Sequence, residues 1–245
     1  MPDPRATSFG AQAGAYESSR PEYPFEAVAW MLDLAPLGAR RVADVGAGTG
    51  KLTRALLAAP DAEVVAVDPD PEMLATLRAN VPGVPTFLGR AERLPLPDAS
   101  VDAVVLGQAW HWVDPEPASR EVGRVLRPGG ALGLVWNLRD ERVDWVRELS
   151  AIMHRSAAEE MLSAGDPVVG SPLGPLESAS WEWSRPVTRE ELHGLASSRS
   201  AVITASEEER ARIRQEMDAL FDDLGLGDGT VDLPYTTRAF RARRA

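Results

Sequence analysis

The 245-residue chain has no cysteine. That excludes disulfides, thiolate zinc sites and cysteine nucleophiles in one step, and it fits a reducing compartment. Lysine is almost missing too: Lys51 is the single one, and every other strong base is arginine. Basic charge is in deficit, with 26 Lys and Arg against 37 Asp and Glu, for a net charge of −11. A protein that tracks nucleic-acid phosphates needs a basic face, so no nucleic-acid partner is expected. A small anion held by one or two local arginines remains compatible with that balance. No apolar run approaches the roughly 18 residues of a membrane span, and the first ten residues, MPDPRATSFG, lack the apolar core of a signal peptide. The expectation is a cytoplasmic protein with no membrane partner. Histidine is scarce: beyond His111 there are His154 and His193, on helical patterns without metal-type partners, and no H-x₃-H or H-E-x-x-H occurs. No metal is expected.

What is present matches an ordinary globular chain, 44% hydrophobic and 26% charged. Four short runs, at 42–45, 64–67, 101–106 and 131–136, are rich in Val, Ala and Leu and nearly continuous rather than alternating. Such runs suit strands buried on both faces of a parallel sheet. Helical spacing fills the gaps: Leu52, Leu56 and Leu57 after the first run, and Met73, Leu74 and Leu77 after the second, before a weaker strand at 85–88. Strand–helix–strand units recurring in this way predict an α/β, doubly wound, mostly parallel sheet. Helices are predicted before the first strand at 24–34 and over 115–126, the latter stopped by Pro128-Gly129-Gly130. Residues 143–162 read as one helix, 165–175 as a loop, 180–187 as a strand and 189–196 as a helix. Ser206 and Glu209 make a capping-box signature for a helix ending at Gly225. Residues 231–240 read as a last strand, and the basic terminus RAFRARRA as a solvated edge. Trp181 and Trp183 share a strand face, which suits core or pocket wall. The whole reads as a single domain over 1–245, with an N-terminal lid or helical segment (1–36), a cofactor-binding core (37–140) and acceptor-side helices with the last strands (141–245).

The most informative stretch is DVGAGTG at 44–50, where a strand runs into a glycine turn that opens a helix. A P-loop would need glycine at Val45 and Ser or Thr at Leu52, so Lys51 reads as an ordinary surface lysine. A dinucleotide fingerprint from Gly46 would need glycine where Lys51 stands; the spacing here is G-x-G-x-G. Asp44, near the carboxyl end of a buried strand, is costly unless it pairs with a ligand cation or with backbone N–H groups. Asp68 ends the second strand, where such an acid accepts hydrogen bonds from ribose hydroxyls. A ligand with a ribose and a positive group but no phosphate fits, and S-adenosylmethionine is one.

The ordered motifs DVGAGTG, VDPDPEML (67–74), RAE (90–92), LPLP (94–97), VDAVV (101–105) and LRPGG (126–130) resemble those of class I S-adenosylmethionine-dependent methyltransferases over residues 42–137. The resemblance implies a seven-stranded Rossmann-like sheet with helical additions at the N-terminus and after strand five. It further implies that Gly46, Gly48 and Gly50 form the turn under the cofactor, with Asp44 near its amino-acid end and Asp68 on its ribose. Pro69 and Met73 would flank the adenine, Ala91 and Glu92 would face its edge, and Gln108 would make the next cofactor contact. Met73 suits core packing as well, and Glu92 a solvated loop.

Two further stretches, FGAQAGAYESSRPEYP (9–24) and QAWHWVD (108–114), with LPYT at 233–236, resemble a small-molecule branch with many carboxyl-methylating members, such as the trans-aconitate and farnesoic-acid methyltransferase-like proteins. Ligands of open α/β sheets bind beyond the carboxyl ends of the strands, so residues 108–112, Asn137 and Arg139 should line an acceptor pocket. A carboxylate acceptor needs no base, only donors; Trp112, Arg20 and Tyr16 are the candidates. A hydroxyl acceptor would call on His111 as general base, although His111 could equally hydrogen-bond at a turn. The reading is methyl transfer to an oxygen of a small molecule, a carboxylic acid among the candidates. A non-catalytic cofactor-binding partner or sensor is the alternative. A nucleic-acid methyltransferase is disfavoured, because an Asn/Asp-Pro-Pro-aromatic turn is replaced by Gly107-Gln-Ala-Trp110. A nicotinamide oxidoreductase is disfavoured by the glycine spacing.

Overall fold

The computed structural model describes residues 20–36, 40–203 and 205–245. Tyr16, expected at the acceptor, lies outside the described residues with everything before Arg20. The Val-rich runs form strands β1 (Arg40–Val45), β2 (Ala62–Asp68), β3 (Thr86–Leu88), β4 (Val101–Gly107) and β5 (Leu126–Arg139), followed by β6 (Glu177–Thr188) and β7 (Thr230–Arg243). They make one seven-stranded sheet in the order β3-β2-β1-β4-β5-β7-β6. β1 to β5 pair in parallel, with Val42 opposite Val64 on one side and Ala103 on the other, while β7 runs antiparallel to both β5 and β6. The chain winds outward from β1 to β3 and then returns to β4, so the switch of direction falls between β1 and β4. Ligands of such sheets settle at that point.

Side chains alternate across the sheet, as a period of two requires. Val104, Leu106, Leu134 and Trp136 pack under α4 (Pro115–Val125) and α6 (Ala157–Ala164). Ala103, Val105 and Val135 pack on the other face under α1 (Phe25–Asp33) and α2 (Lys51–Leu57). α3 (Pro71–Asn80) and α4 both open with proline at the first helical position, and the carboxylates of Asp70 and Asp114 accept from the first-turn N–H groups. A separate apolar cluster joins α5 (Asp144–Ile152), α7 (Arg189–Ser197) and α9 (Glu207–Asp223) to Tyr235 on β7. A short helix, α8 (Ser200–Ile203), precedes α9. Among the described residues no helix is long and apolar enough to cross a membrane.

Five expectations are corrected. The single helix over 143–162 is two, α5 and α6. His154 between them takes φ +58°, and Ser156 starts α6 with a reciprocal capping box to Glu159. The box predicted at Ser206 is half made: Ser206 Oγ accepts from Glu209 N–H, but the Glu209 carboxylate goes to Arg212 and His154. The helix expected to run to 126 and be stopped by Pro128-Gly129-Gly130 ends at Val125, and Leu126 to Gly130 are already the first residues of β5, Leu126 pairing with Val101 before an irregularity. The basic terminus is no solvated edge. It lies inside the sheet between β5 and β6, where Ala239, Phe240 and Ala242 are buried and Arg241 reaches the Trp30 carbonyl at 2.6 Å. Finally, Lys51 is mostly covered, and its Nζ lies 3.1 Å from Glu22 Oε1. Of the two roles expected of them, Trp181 and Trp183 take core packing: Trp181 meets Trp30 edge-on and Trp183 stacks on Tyr235 at 4.9 Å.

Candidate functional site

The turn between β1 and α2 is built by its glycines. Gly46 and Gly48 sit at φ +70° and +54°, a region L side chains rarely enter. At Gly46 space is also lacking, since a Cβ would lie 2.6 Å from Ala109 Cβ; at Gly48 a Cβ would meet nothing within 4 Å. Gly46 is therefore fixed by the protein. The space over Gly48 belongs to the cleft that it lines. Gly50 faces the other way, toward Leu77 of α3 and Val81 just beyond it, and does not line the cleft.

Asp68 ties two turns together. Its Oδ2 accepts from Gly48 N–H at 2.8 Å and its Oδ1 from Asp70 N–H at 2.8 Å. Burial pushes it up to about 6 despite those two bonds. Each carboxylate oxygen keeps a second lone-pair direction, and Asp68 lines the cleft. Asp44 does not. It is wholly buried behind the turn, with Oδ2 taking the Thr53 hydroxyl at 2.6 Å and Oδ1 left without a partner. Burial, only partly offset by Thr53, pushes Asp44 up to about 7.

The cleft has about 1110 Å³ of empty space out to its open mouth, enough for a cofactor-sized ligand together with a small molecule. At the β1–β2 end it is lined by Gly46, Gly48, Asp68, Pro69 and Met73, then by Ala91 and Glu92. Met73 and Ala91 are nearly buried, so they offer apolar wall. Glu92 is no free loop acid, since its Oε1 accepts from Asp114 N–H at 3.0 Å. At the β4 end the lining residues are Gln108, His111, Trp112 and Arg20. Gln108 holds a left-handed φ of +54° while its Nε2 donates to the Asn137 carbonyl at 3.0 Å. Such strain persists only where its surroundings enforce it, and it clusters at functional sites. Trp110 is core: its Nε1 donates to the Val168 carbonyl and pins the 165–175 loop.

His111 lines the cleft at that end. The indole Nε1–H of buried Trp136 donates to His111 Nδ1 at 3.3 Å. Burial, with the Arg20 charge adding to it, pulls His111 down to about 3. A neutral imidazole that accepts at Nδ1 carries its proton on Nε2.

Asn137 and Arg139, expected at the acceptor, line a smaller adjoining cavity that shares Arg20, Gln108, Ser156 and Arg199 with the main cleft. Ser156 and Arg199 were missed by the sequence reading. Ser156 carried a signal, a capping-box Ser three residues before Glu159; Arg199 carried none.

The residues present fit S-adenosylmethionine. Asp68 offers acceptors to vicinal hydroxyls, the absent Cβ of Gly48 leaves room against the backbone, and Met73 and Ala91 give an adenine a dry wall. Among the described residues no group of three or more His, Cys, Asp or Glu could hold a metal ion.

Comparison with known proteins agrees. A family model described as a methyltransferase domain matches residues 43–134. An uncharacterized methyltransferase of Mycobacterium tuberculosis is 49% identical, the alignment covering 97% of this chain and 96% of that protein. A malonyl-[acyl-carrier protein] O-methyltransferase of Methylococcus capsulatus is 41% identical over 51% of this chain and 48% of its own. A solved structure from Anaeromyxobacter dehalogenans, described as a type II methyltransferase, is 25% identical with a TM-score of 0.65, covering 91% of this chain and 97% of that one.

Proposed function

Because the chain belongs to the class I S-adenosylmethionine-dependent methyltransferases, we propose that it moves a methyl group onto an oxygen of a small molecule. The observation that carries the site assignment is the Asp68 carboxylate, fixed by Gly48 and Asp70 N–H groups on the wall of the cleft that the glycine turn lines. Asp68 would take the ribose hydroxyls, with Gly46 and Gly48 letting the backbone approach. Pro69, Met73 and Ala91 would flank the adenine, and Glu92 its edge. Gln108 would meet the cofactor where β4 ends. Asp44, from behind the turn, would favour a cationic tail nearby, while Gly50 shapes the turn without touching the ligand.

When bound, the cofactor supplies a methyl made electrophilic by its sulfonium. The protein's share is to hold an acceptor oxygen in line and keep water out. That oxygen's lone pair forms the new C–O bond as the C–S bond breaks, and the sulfur keeps the bonding pair. With a carboxylate no proton has to move. This suits His111, which as a neutral Nε2–H donor orients the acceptor rather than deprotonating it, beside Trp112 and Arg20. The O-methyltransferase activity in the name of the M. capsulatus relative supports oxygen as the acceptor atom. The net charge of −11 supports a small molecule over nucleic acid.

Calorimetric titration with S-adenosylhomocysteine, with NAD as control, tests the cofactor. Methyl transfer from labelled S-adenosylmethionine to a panel of carboxylic acids and phenols tests the acceptor. Micromolar binding of the first ligand alone, followed by alkali-labile label in the acids, is expected. Binding without transfer to any oxygen acceptor would replace the enzyme reading with a sensor or partner role.

A further inference from the structure

Resting on the methyltransferase reading, we infer that Asn137, near the end of β5, is a positioning residue for the cofactor's amino-acid tail: its side-chain amide fastens residues 20–23 across a pocket beside the glycine turn. That pocket is lined by Pro21 and Tyr23, by Gly46 and Lys51, and by Gln108 and Asn137. It shares Gly46, Gly48, Gln108 and Arg20 with the main cleft, whereas Asp68, Met73 and Ala91 line the main cleft alone. A ligand with its nucleoside at Asp68 would therefore send its tail this way. Held at both ends, it would have its sulfur fixed between them, which is what in-line transfer needs.

Residues 20–23 are anchored on both sides of this pocket. On the α2 side, Glu22 Oε1 lies 3.1 Å from Lys51 Nζ. On the β5 side, the Glu22 main-chain carbonyl accepts from Asn137 Nδ2 at 3.0 Å. Tyr23 packs against the end of β4, so closely that a Cβ on Gly107 would lie 2.6 Å from its hydroxyl oxygen. Arg20 donates from Nε to Ser198 Oγ at 3.1 Å and from Nη2 to the Ser198 carbonyl at 3.2 Å. Glu22 is thus held from α2 by its side chain and from β5 by its main chain.

The sense of the Asn137 amide is fixed by its partners. The Glu22 carbonyl only accepts, so the amide NH₂ must face it. On the other side Oδ1 takes the Thr237 hydroxyl at 2.7 Å, and Thr237 Oγ1 takes the Trp183 indole N–H at 2.8 Å. An indole only donates, which leaves the hydroxyl proton for Asn137. The three bonds run one way, from Trp183 through Thr237 and Asn137 to Glu22, and each strengthens the next. The main-chain carbonyl of Asn137 meanwhile accepts from Gln108 Nε2 at 3.0 Å. One residue therefore braces two walls of the tail pocket, and exchanging its side chain releases only the wall made by residues 20–23.

The test uses the full chain and two ligands that share the thionucleoside: S-adenosylhomocysteine, which has the amino-acid tail, and methylthioadenosine, which has a methyl in its place. Asn137→Asp keeps the side chain's size and an acceptor for Thr237, but turns an acceptor toward the Glu22 carbonyl as well. Calorimetry should show S-adenosylhomocysteine weakened about tenfold, the scale of one hydrogen bond, and methylthioadenosine within about twofold of wild type. Asn137→Ser, neutral and too short to reach Glu22, should show the same split, and replaces the first variant if a buried carboxylate costs that one its fold. Equal weakening of both ligands would make Asn137 a support of the sheet alone, and unchanged binding of both would detach residues 20–23 from the cofactor; either result overturns the inference. So does a wild-type chain that binds S-adenosylhomocysteine no more tightly than methylthioadenosine. Failure of the wild-type chain to bind S-adenosylhomocysteine at all would instead remove the methyltransferase reading beneath it.

Discussion

Trp136 sets the tautomer of His111. Its indole N–H, buried under Phe240, fills the Nδ1 lone pair of the imidazole at 3.3 Å, so the ring's other nitrogen carries the proton. The ring titrates at about 3, held down by burial and then by Arg20, and so stays neutral across the working range of pH.

His111→Ala should therefore cost about tenfold in kcat/KM, the scale of one hydrogen bond. Loss of a general base would cost about 10²–10⁴-fold. The pH–rate profile of the wild type should show no step near 6.5 that vanishes in the variant. A thousandfold loss together with such a vanishing step would make His111 the base after all.

Asp68→Ala should weaken S-adenosylhomocysteine by roughly 1–3 kcal/mol, the scale of charge-assisted hydrogen bonds. The variant also unties Gly48 from Asp70, so melting should be followed alongside calorimetry. Unchanged affinity would remove Asp68 from the site.

Two glycines separated by a single residue should respond differently. Gly46→Ala forces a Cβ to 2.6 Å from Ala109 at a left-handed φ, and should lower the melting temperature by several degrees. Gly48→Ala finds open space, so its stability cost should be the strain alone, about 1 kcal/mol. Its larger effect should be on S-adenosylhomocysteine affinity, because the new methyl stands in the cleft. Comparable melting temperatures with unaffected binding in Gly48→Ala would show that nothing lies against that backbone.

Asp44 gives the apo protein a pH dependence of definite sign. Its carboxyl is raised from 3.8 to about 7 in the folded chain. The folded state therefore binds the proton more tightly than the unfolded chain does. The stability this contributes is complete below about pH 4 and is lost as pH rises through 7, by on the order of 2–4 kcal/mol. Asp44→Asn, a neutral isostere, should melt higher than wild type at pH 8, and the gap should close toward pH 5. A gap independent of pH would mean that Asp44 is charged throughout that range in the folded chain as well.

The parallel half of the sheet and its glycine turn were legible because their signals are local. A Val-rich strand feeding G-x-G-x-G constrains a few consecutive residues, and Asp68 closes the second strand within the same βαβ unit. The α6–α7 end of the cleft is assembled over long separations. Arg20 meets Ser198, and Arg199 meets Glu159, without any periodicity or motif to announce the pairing. The Arg-rich terminus misled for a related reason. Its charges are neutralised by groups far off in sequence, Arg241 by Glu177 and Arg238 by Asp166, so a strand interior to the sheet looked like a solvated edge. The split of 143–162 turned on a single left-handed residue, His154, which helical spacing on either side conceals.

β6 is made before residues 189–229, yet it joins the sheet only through β7, which follows them. Translation thus delivers the parallel half of the sheet first. Until residues 230–243 emerge, β5 presents a bare edge of the kind that invites wrong partners. Asn137 meanwhile waits for the Thr237 hydroxyl that will reach its Oδ1 at 2.7 Å. The nascent chain can therefore form the glycine turn and its tie to Asp68 well before β6 and β7 close the sheet, and a ribosome stalled in that interval would hold a half-built sheet with its far edge still unfolded.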